Sequence, residues 1–289
     1  MRWLLLCAAF CTFPVAAATT TPRQEWEAFR ENALLYAGGP RGLYAIQHMI
    51  ELDPGETAFL PATGSVYDLR WSKTPVAHPV ARVEHGRDGK VMIDGIGIAT
   101  TDLTQAPDRA LELPNGLLAR VTPLGPTTLK LWLVNPRLPA LRRFKGLSHY
   151  PFDPRGVIVG TFHRDEAPKP VSYLDSRDRA GVMYVVGTLD VDIGGKAHTL
   201  KAYSYVSDWA AIEGILLLLK DETSGRTTYG GGRVAQVEFP RGAPPRRMRV
   251  NLNTLYSFLC AHSEYFNCPL MLTDRVAAAL PYGERHAPP

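Results

Sequence analysis

The chain has 289 residues, a net charge of +4, 45% apolar and 21% charged residues, a balance that excludes an intrinsically disordered chain and suffices for one large core or two smaller ones. Its positive residues are scattered except for Arg241 to Arg249, where Arg246, Arg247 and Arg249 follow Pro244-Pro245. A loop of this kind reads first as a solvated hairpin tip and second as a contact for anionic lipid, polysaccharide or nucleic acid; no nucleic-acid partner is expected.

At the N-terminus Arg2 precedes an apolar run from Trp3 to Phe13, then Pro14 and Ala16-Ala17-Ala18. Charge, apolar core and small residues in that order make residues 1–18 a secretory signal, with the exported chain beginning near Thr19. The run is too short to span a bilayer and polar Thr19-Thr20-Thr21 follows it, so no transmembrane anchor is expected after cleavage. A lipid on Cys11 is the competing reading, although Phe10 stands before it where a small residue is usual. The expected location is the periplasm or the medium.

From Pro22 to Ala37 the residues Trp26, Phe29, Ala33, Leu34 and Tyr36 recur near helical spacing until Gly38-Gly39-Pro40 ends the pattern, which predicts an N-terminal helix. Beyond it, Asp53-Pro54-Gly55, Asp88-Gly89, Asp94-Gly95, Pro114-Asn115-Gly116 and Gly194-Gly195 punctuate short runs rich in Val, Ile, Leu, Thr and Tyr, the rhythm of antiparallel strands. Leu117, Ala119 and Val121 face one way, as do Leu129, Leu131 and Leu133 across Gly125-Pro126. Leu189 to Ile193 turning through Gly194-Gly195 into His198 to Tyr203 is the clearest hairpin. Ile215 to Leu219 is uninterrupted and apolar, hence a central strand covered on both faces. A short helix is predicted from Arg275 to Leu280, capped by Thr273 or Asp274 and stopped by Pro281.

Discarding Cys7 and Cys11 with the signal leaves Cys260 and Cys268, an even pair in an oxidising compartment, where a disulfide is the default. Two unpaired thiols, or a metal site using His262, are the alternatives, the second at a spacing wider than zinc knuckles use.

Several motifs in the C-terminal half fall in a fixed order. Arg143-Phe144-Lys145-Gly146-Leu147 is followed by Tyr150-Pro151-Phe152-Asp153-Pro154; then come Asp221-Glu222-Thr223-Ser224-Gly225 and Thr228-Tyr229-Gly230-Gly231-Gly232-Arg233; Asn253, Tyr256, Cys260, Cys268 and Pro269 close the series. This region, about residues 140–285, resembles the bacterial and archaeal family called domain of unknown function 1684. The resemblance implies a fold and a candidate patch, and no substrate. The segment Gly42 to His48 only partly matches the family's Trp-Leu-rich stretch, and Asn251-Leu252-Asn253 stands where the family usually carries Asp-Phe-Asn, so a carboxylate is missing here.

Two readings of the Gly230 to Gly232 run are open. Backbone N–H groups with Arg233 would suit an anion; alternatively the run is a glycine-rich turn or bulge with Arg233 held by Asp221. A nucleotide loop is excluded, because the Lys-Ser/Thr and the strand-to-helix setting are missing. Acid–base chemistry would draw on Asp221, Glu222 and Glu238, with Ser224 or Thr223 as nucleophile and His149 or His262 as base. The Gly-x-Ser-x-Gly elbow is absent around Ser224. The eight His are dispersed, and no metal or cofactor is expected.

The sequence therefore predicts a signal at 1–18 and a single mainly-β domain over 19–289, an antiparallel sandwich or partly closed barrel with an N-terminal helix and a short C-terminal helix. The expected role is an envelope binding or structural module for a small molecule or glycan. Its ligand-binding candidates are Arg143, Asp221, Thr223, Ser224, Tyr229, Gly230, Gly231, Gly232, Arg233, Asn253 and Tyr256. The alternative is a hydrolase using Asp221 and Ser224.

Overall fold

The structure is a computed structural model that describes residues 20–125, 127–269 and 272–286. The segment read as a signal, with Cys7 and Cys11, and Pro126 lie outside the described residues. Among the described residues two compact units form: one spans residues 34–146, the other joins residues 20–33 with those from Leu147 to His286.

Helix α1, Pro22–Gly38, starts where Thr21 and Gln24 cap each other, Gln24 N donating to Thr21 Oγ1 at 3.3 Å and Thr21 N to Gln24 Oε1 at 2.9 Å. Trp26, Phe29, Ala33 and Ala37 are buried, at helical spacing, whereas Leu34 is 48% exposed and does not belong to the apolar stripe. Its first three turns serve the second unit: Trp26 lies 5.9 Å from the ring of Phe152, and Phe29 lies 5.9 Å from His149 and 6.2 Å from Tyr256.

The first unit holds β1 (Ile46–Leu52), β2 (Thr57–Leu60), β3 (Ala81–His85), β4 (Val91–Gly95), β5 (Ile98–Asp102), β6 (Ala110–Glu112), β7 (Leu118–Leu124), β8 (Thr128–Val134) and the short α2 (Pro139–Arg143). One sheet has the order β1-β8-β7-β6 and the other β2-β3-β4-β5. Alternation does the sorting: Ala119, Val121, Leu131 and Leu133 of the first sheet and Ala58, Leu60, Val83 and Ile93 of the second share one core.

The second unit carries β9 (Val157–Leu174), β10 (Ala180–Ile193), β11 (Lys196–Ser204), β12 (Gly214–Lys220), β13 (Arg233–Glu238), β14 (Arg247–Asn251), β15 (Tyr256–Ser257) and β16 (Asp274–Arg275). They form a sheet of order β14-β9-β10-β11-β12-β13-β15, with β16 parallel to β12. β10 and β11 make the hairpin expected at Gly194-Gly195, whose φ of 63° and 79° suit the turn that matches strand twist. In β12, Ile215, Leu217 and Leu219 face a core with Leu189, Leu200 and Met248. Leu218 and Leu216 face another, with Met183, Tyr203, Val234 and Phe258. Both faces of this strand are covered, as its unbroken apolar run predicts.

Two expectations are corrected. The sheet is open, ending at β14 and β15 rather than closing on itself, so no barrel forms among the described residues. Nor does Arg275 to Leu280 become a helix. Asp274 pairs with Leu219 and Arg275 with Lys220, Val276 N donates to Lys220 O at 2.8 Å, and the Asp274 carboxylate accepts from Lys201 N at 2.6 Å instead of capping a helix. So short a helix is marginal alone, and strand pairing overrides its alanines.

Candidate functional site

The chain leaves β12 at Lys220 and turns tightly. Asp221 Oδ1 accepts from Thr223 N at 2.8 Å, Thr223 Oγ1 at 2.6 Å and Leu280 N at 3.2 Å, and Asp221 N donates to Ser224 Oγ at 3.1 Å. Thr223 O collects the N–H groups of Arg226, Thr227 and Thr228 at 3.0–3.2 Å. With its own proton on Asp221, Thr223 Oγ1 accepts from Thr228 Oγ1 at 2.9 Å. The return to β13 needs Gly232: its φ is +109°, and a Cβ there would stand 2.7 Å from Leu219 O.

Arg233, opposite Leu219 on β13, is 0% exposed. A charge so placed has to be matched. Its Nη2 donates to Asp221 Oδ2 at 2.8 Å, both side chains being 1% exposed, and to Leu280 O at 2.9 Å. Nη1 donates to Tyr282 O and to Glu284 O at 3.4 Å. One guanidinium thus holds alternate carbonyls of the C-terminal segment, which lies over β12 and β13 as a strap.

Farther along the strap Glu284, 2% exposed, accepts from Ser257 N at 3.1 Å and lies 2.9 Å from His262 Nε2. Burial pushes its carboxyl up, but the hydrogen bond and charge of His262, with the Ser257 N–H, outweigh that and hold it below its ordinary value. His149 stands close by, its strand bridge joining it to Glu284. Burial lowers its pKa against the opposing pull of Glu284. Its Nδ1 lies 2.9 Å from Leu147 O, which can only accept, so Nδ1 carries the proton; Nε2 is buried with no hydrogen-bond partner among the described residues. Around this floor runs a partly open rim: Tyr229, its OH donating to Cys260 Sγ at 3.6 Å and its ring 5.5 Å from His286, and Tyr150, 2.6 Å from Thr227 Oγ1. Cys260 and Cys268 are joined.

Of the residues singled out by sequence, Asp221, Thr223 and Arg233 meet in one buried network with Ser224 at its edge, and Tyr229 with Gly230 and Gly231 forms the rim turn. Asn253 lies elsewhere in the unit, fully buried, its amide accepting from Asp153 N and donating to Asp153 O, both at 2.9 Å. Tyr256 sits on β15 opposite Val234. Arg143 ends α2 in the first unit and is exposed. Glu222 is exposed, and Glu238 lies at the far end of β13, bonded by Gln236 at 3.1 Å. His149 and His262, named as bases, converge on Glu284 rather than on Ser224. Glu284, His286, Ser257 and Tyr150 were missed. The only sequence signal was the polar run Gly283-Glu284-Arg285-His286, and its placement depends on the strap.

The second unit is a β-sheet domain whose C-terminal strap is fastened by a buried ion pair and a buried carboxylate. Its residues 142–285, counted with the preceding α2 end, match the family described as Protein of unknown function (DUF1684), as the ordered motifs indicated. A solution NMR structure of an uncharacterised protein from Haloarcula marismortui is 29% identical over 51% of this chain and 80% of that one, with a TM-score of 0.42. No curated protein matches.

Proposed function

We propose that the protein is an exported, non-catalytic β-sheet module of the cell envelope, whose Asp-Glu-Thr-Ser-Gly and Gly-Gly-Gly-Arg signature is architectural and whose ligand, an anionic small molecule or glycan, meets the rim at Tyr229, Gly230, Gly231 and His286. The observation that carries this reading is the filling of Asp221: its two oxygens accept four hydrogen bonds from its own chain, leaving it neither base nor ligand for anything else. A hydrolase built on Asp221 and Ser224 would need that carboxylate to face a substrate. Gly230 is exposed and Tyr229 half-buried, which suits an aromatic contact to a sugar face with main-chain N–H groups beside it.

The test has two arms. Purified protein is offered p-nitrophenyl esters and phosphates, and separately a panel of anionic and neutral oligosaccharides measured by calorimetry. No turnover, with binding that Tyr229→Ala weakens by about tenfold or more while the fold is retained, is expected. Hydrolysis abolished by Ser224→Ala would sink the reading.

A further inference from the structure

The strap passes two histidines that treat one carboxylate differently. Glu284 is anchored by backbone as well as side chain, its N–H donating to Leu255 O at 2.7 Å, while Arg285 N donates to Ser148 O at 2.8 Å and His286 N to Thr227 O at 3.0 Å. His262 Nε2 lies 2.9 Å from Glu284 Oε1, with side-chain exposures of 6% and 3%. His149 already commits its Nδ1 proton to Leu147 O and has no acceptor for a second N–H.

We propose that docking of strap residues 283–286 is proton-sensitive and weakens as pH falls, because His149, bridged to Glu284, fits there only as a neutral ring. When His149 gains a proton at falling pH, a buried donor is left unmatched, and Arg30 of α1 and His262 add repulsion that the attraction of Glu284 does not overcome. The sign follows. A histidine held below its ordinary 6.5 in the folded protein takes up its proton first in the released state, so docking weakens as pH falls below that value. His286, 6.2 Å from His262 and 5.5 Å from Tyr229, is the remaining titratable group beside the pair. Asp274 lies at the other end of the strap on β16.

Amide hydrogen exchange at Glu284, Arg285 and His286, expressed as protection relative to the free peptide at each pH, reads docking directly. In the full chain protection should fall by about tenfold between about pH 7 and 5. His149→Phe should remove the acid-side fall, and Asp274→Asn should leave it in place. Protection independent of pH in the unaltered protein overturns the proposal, as does an acid-side fall that persists in His149→Phe. If His149→Phe does not fold, His149→Gln, which does not titrate, takes its place, and an acid-side fall that persists in it overturns the proposal in the same way.

Discussion

At the residue scale the Arg233–Asp221 pair decides the most. Both side chains are fully enclosed, and removing one partner leaves the other charge unmatched, a loss of about 3–5 kcal/mol for a buried pair. Arg233→Ala should be the more damaging single change, since it also frees the carbonyls of Leu280, Tyr282 and Glu284. Urea melts of both single variants and the double variant check this; additive losses would show the two residues to be independent. Asn251 gives a second residue-scale outcome. Its Nδ2 donates to Pro22 O at 2.8 Å and to Glu25 Oε2 at 3.2 Å, while its Oδ1 accepts from Asn253 N and Nδ2 at 3.2 and 3.0 Å. Asp at this position would lose both donors and face Glu25 with like charge. Asn251→Asp should therefore destabilise by about 1–3 kcal/mol, measured by thermal melting, and an unchanged melting temperature would remove the reason given for the amide.

At the element scale the Cys260–Cys268 bridge fastens the segment after β15, where Phe258 and Cys268 fill the smaller core beside Leu218 and Val234. Closing so short a loop contributes about 2–3 kcal/mol in the chain-entropy model. Replacing both with Ser should lower the melting temperature in proportion, and the same shift should appear on reduction of the unaltered protein; equal melting with and without reductant would contradict it. Strands were the most legible elements, because a one-sided sheet writes period-two alternation into β7 and β8, and a doubly covered strand writes the unbroken run of β12. The strap was not legible. Its Val-Ala-Ala-Ala-Leu run favours a helix locally, and β12, Lys201, Asp221 and Arg233, all distant in sequence, hold it extended.

At the scale of the whole molecule, each unit contains a half-buried histidine that resists protonation. Burial and the neighbouring charge of Arg70 bring His48 in the first unit down to about 4, and burial lowers His149 in the second. Both bind fewer protons folded than unfolded, so stability should fall as pH drops below 6.5, the His48 contribution continuing down to about 4. Glu284 adds a loss as pH falls below 4.5. Asp274, raised by burial, works in the opposite sense. Calorimetric melting between pH 7 and 4 should show a steady decline, and a flat profile would mean these groups are solvated. Asp221, Thr223 and Arg233 were found from sequence because the signature places them at the two ends of one hairpin. Glu284 was not, and His149 and His262 were named only as bases for Ser224 or Thr223, since the three come from separated stretches and no local spacing announces a carboxylate that only folding buries.

The second unit is built from both ends of the described chain. Trp26 and Phe29 of α1 lie against Phe152, His149 and Tyr256, and Glu25 holds Arg249 through Nη1 at 3.0 Å, yet the entire first unit is synthesised between helix and sheet. The helix therefore emerges early and waits for partners more than a hundred residues downstream, a loop closure whose entropy is met late in folding. A fragment cut at the family boundary would leave Phe152 and Tyr256 without the helix that covers them.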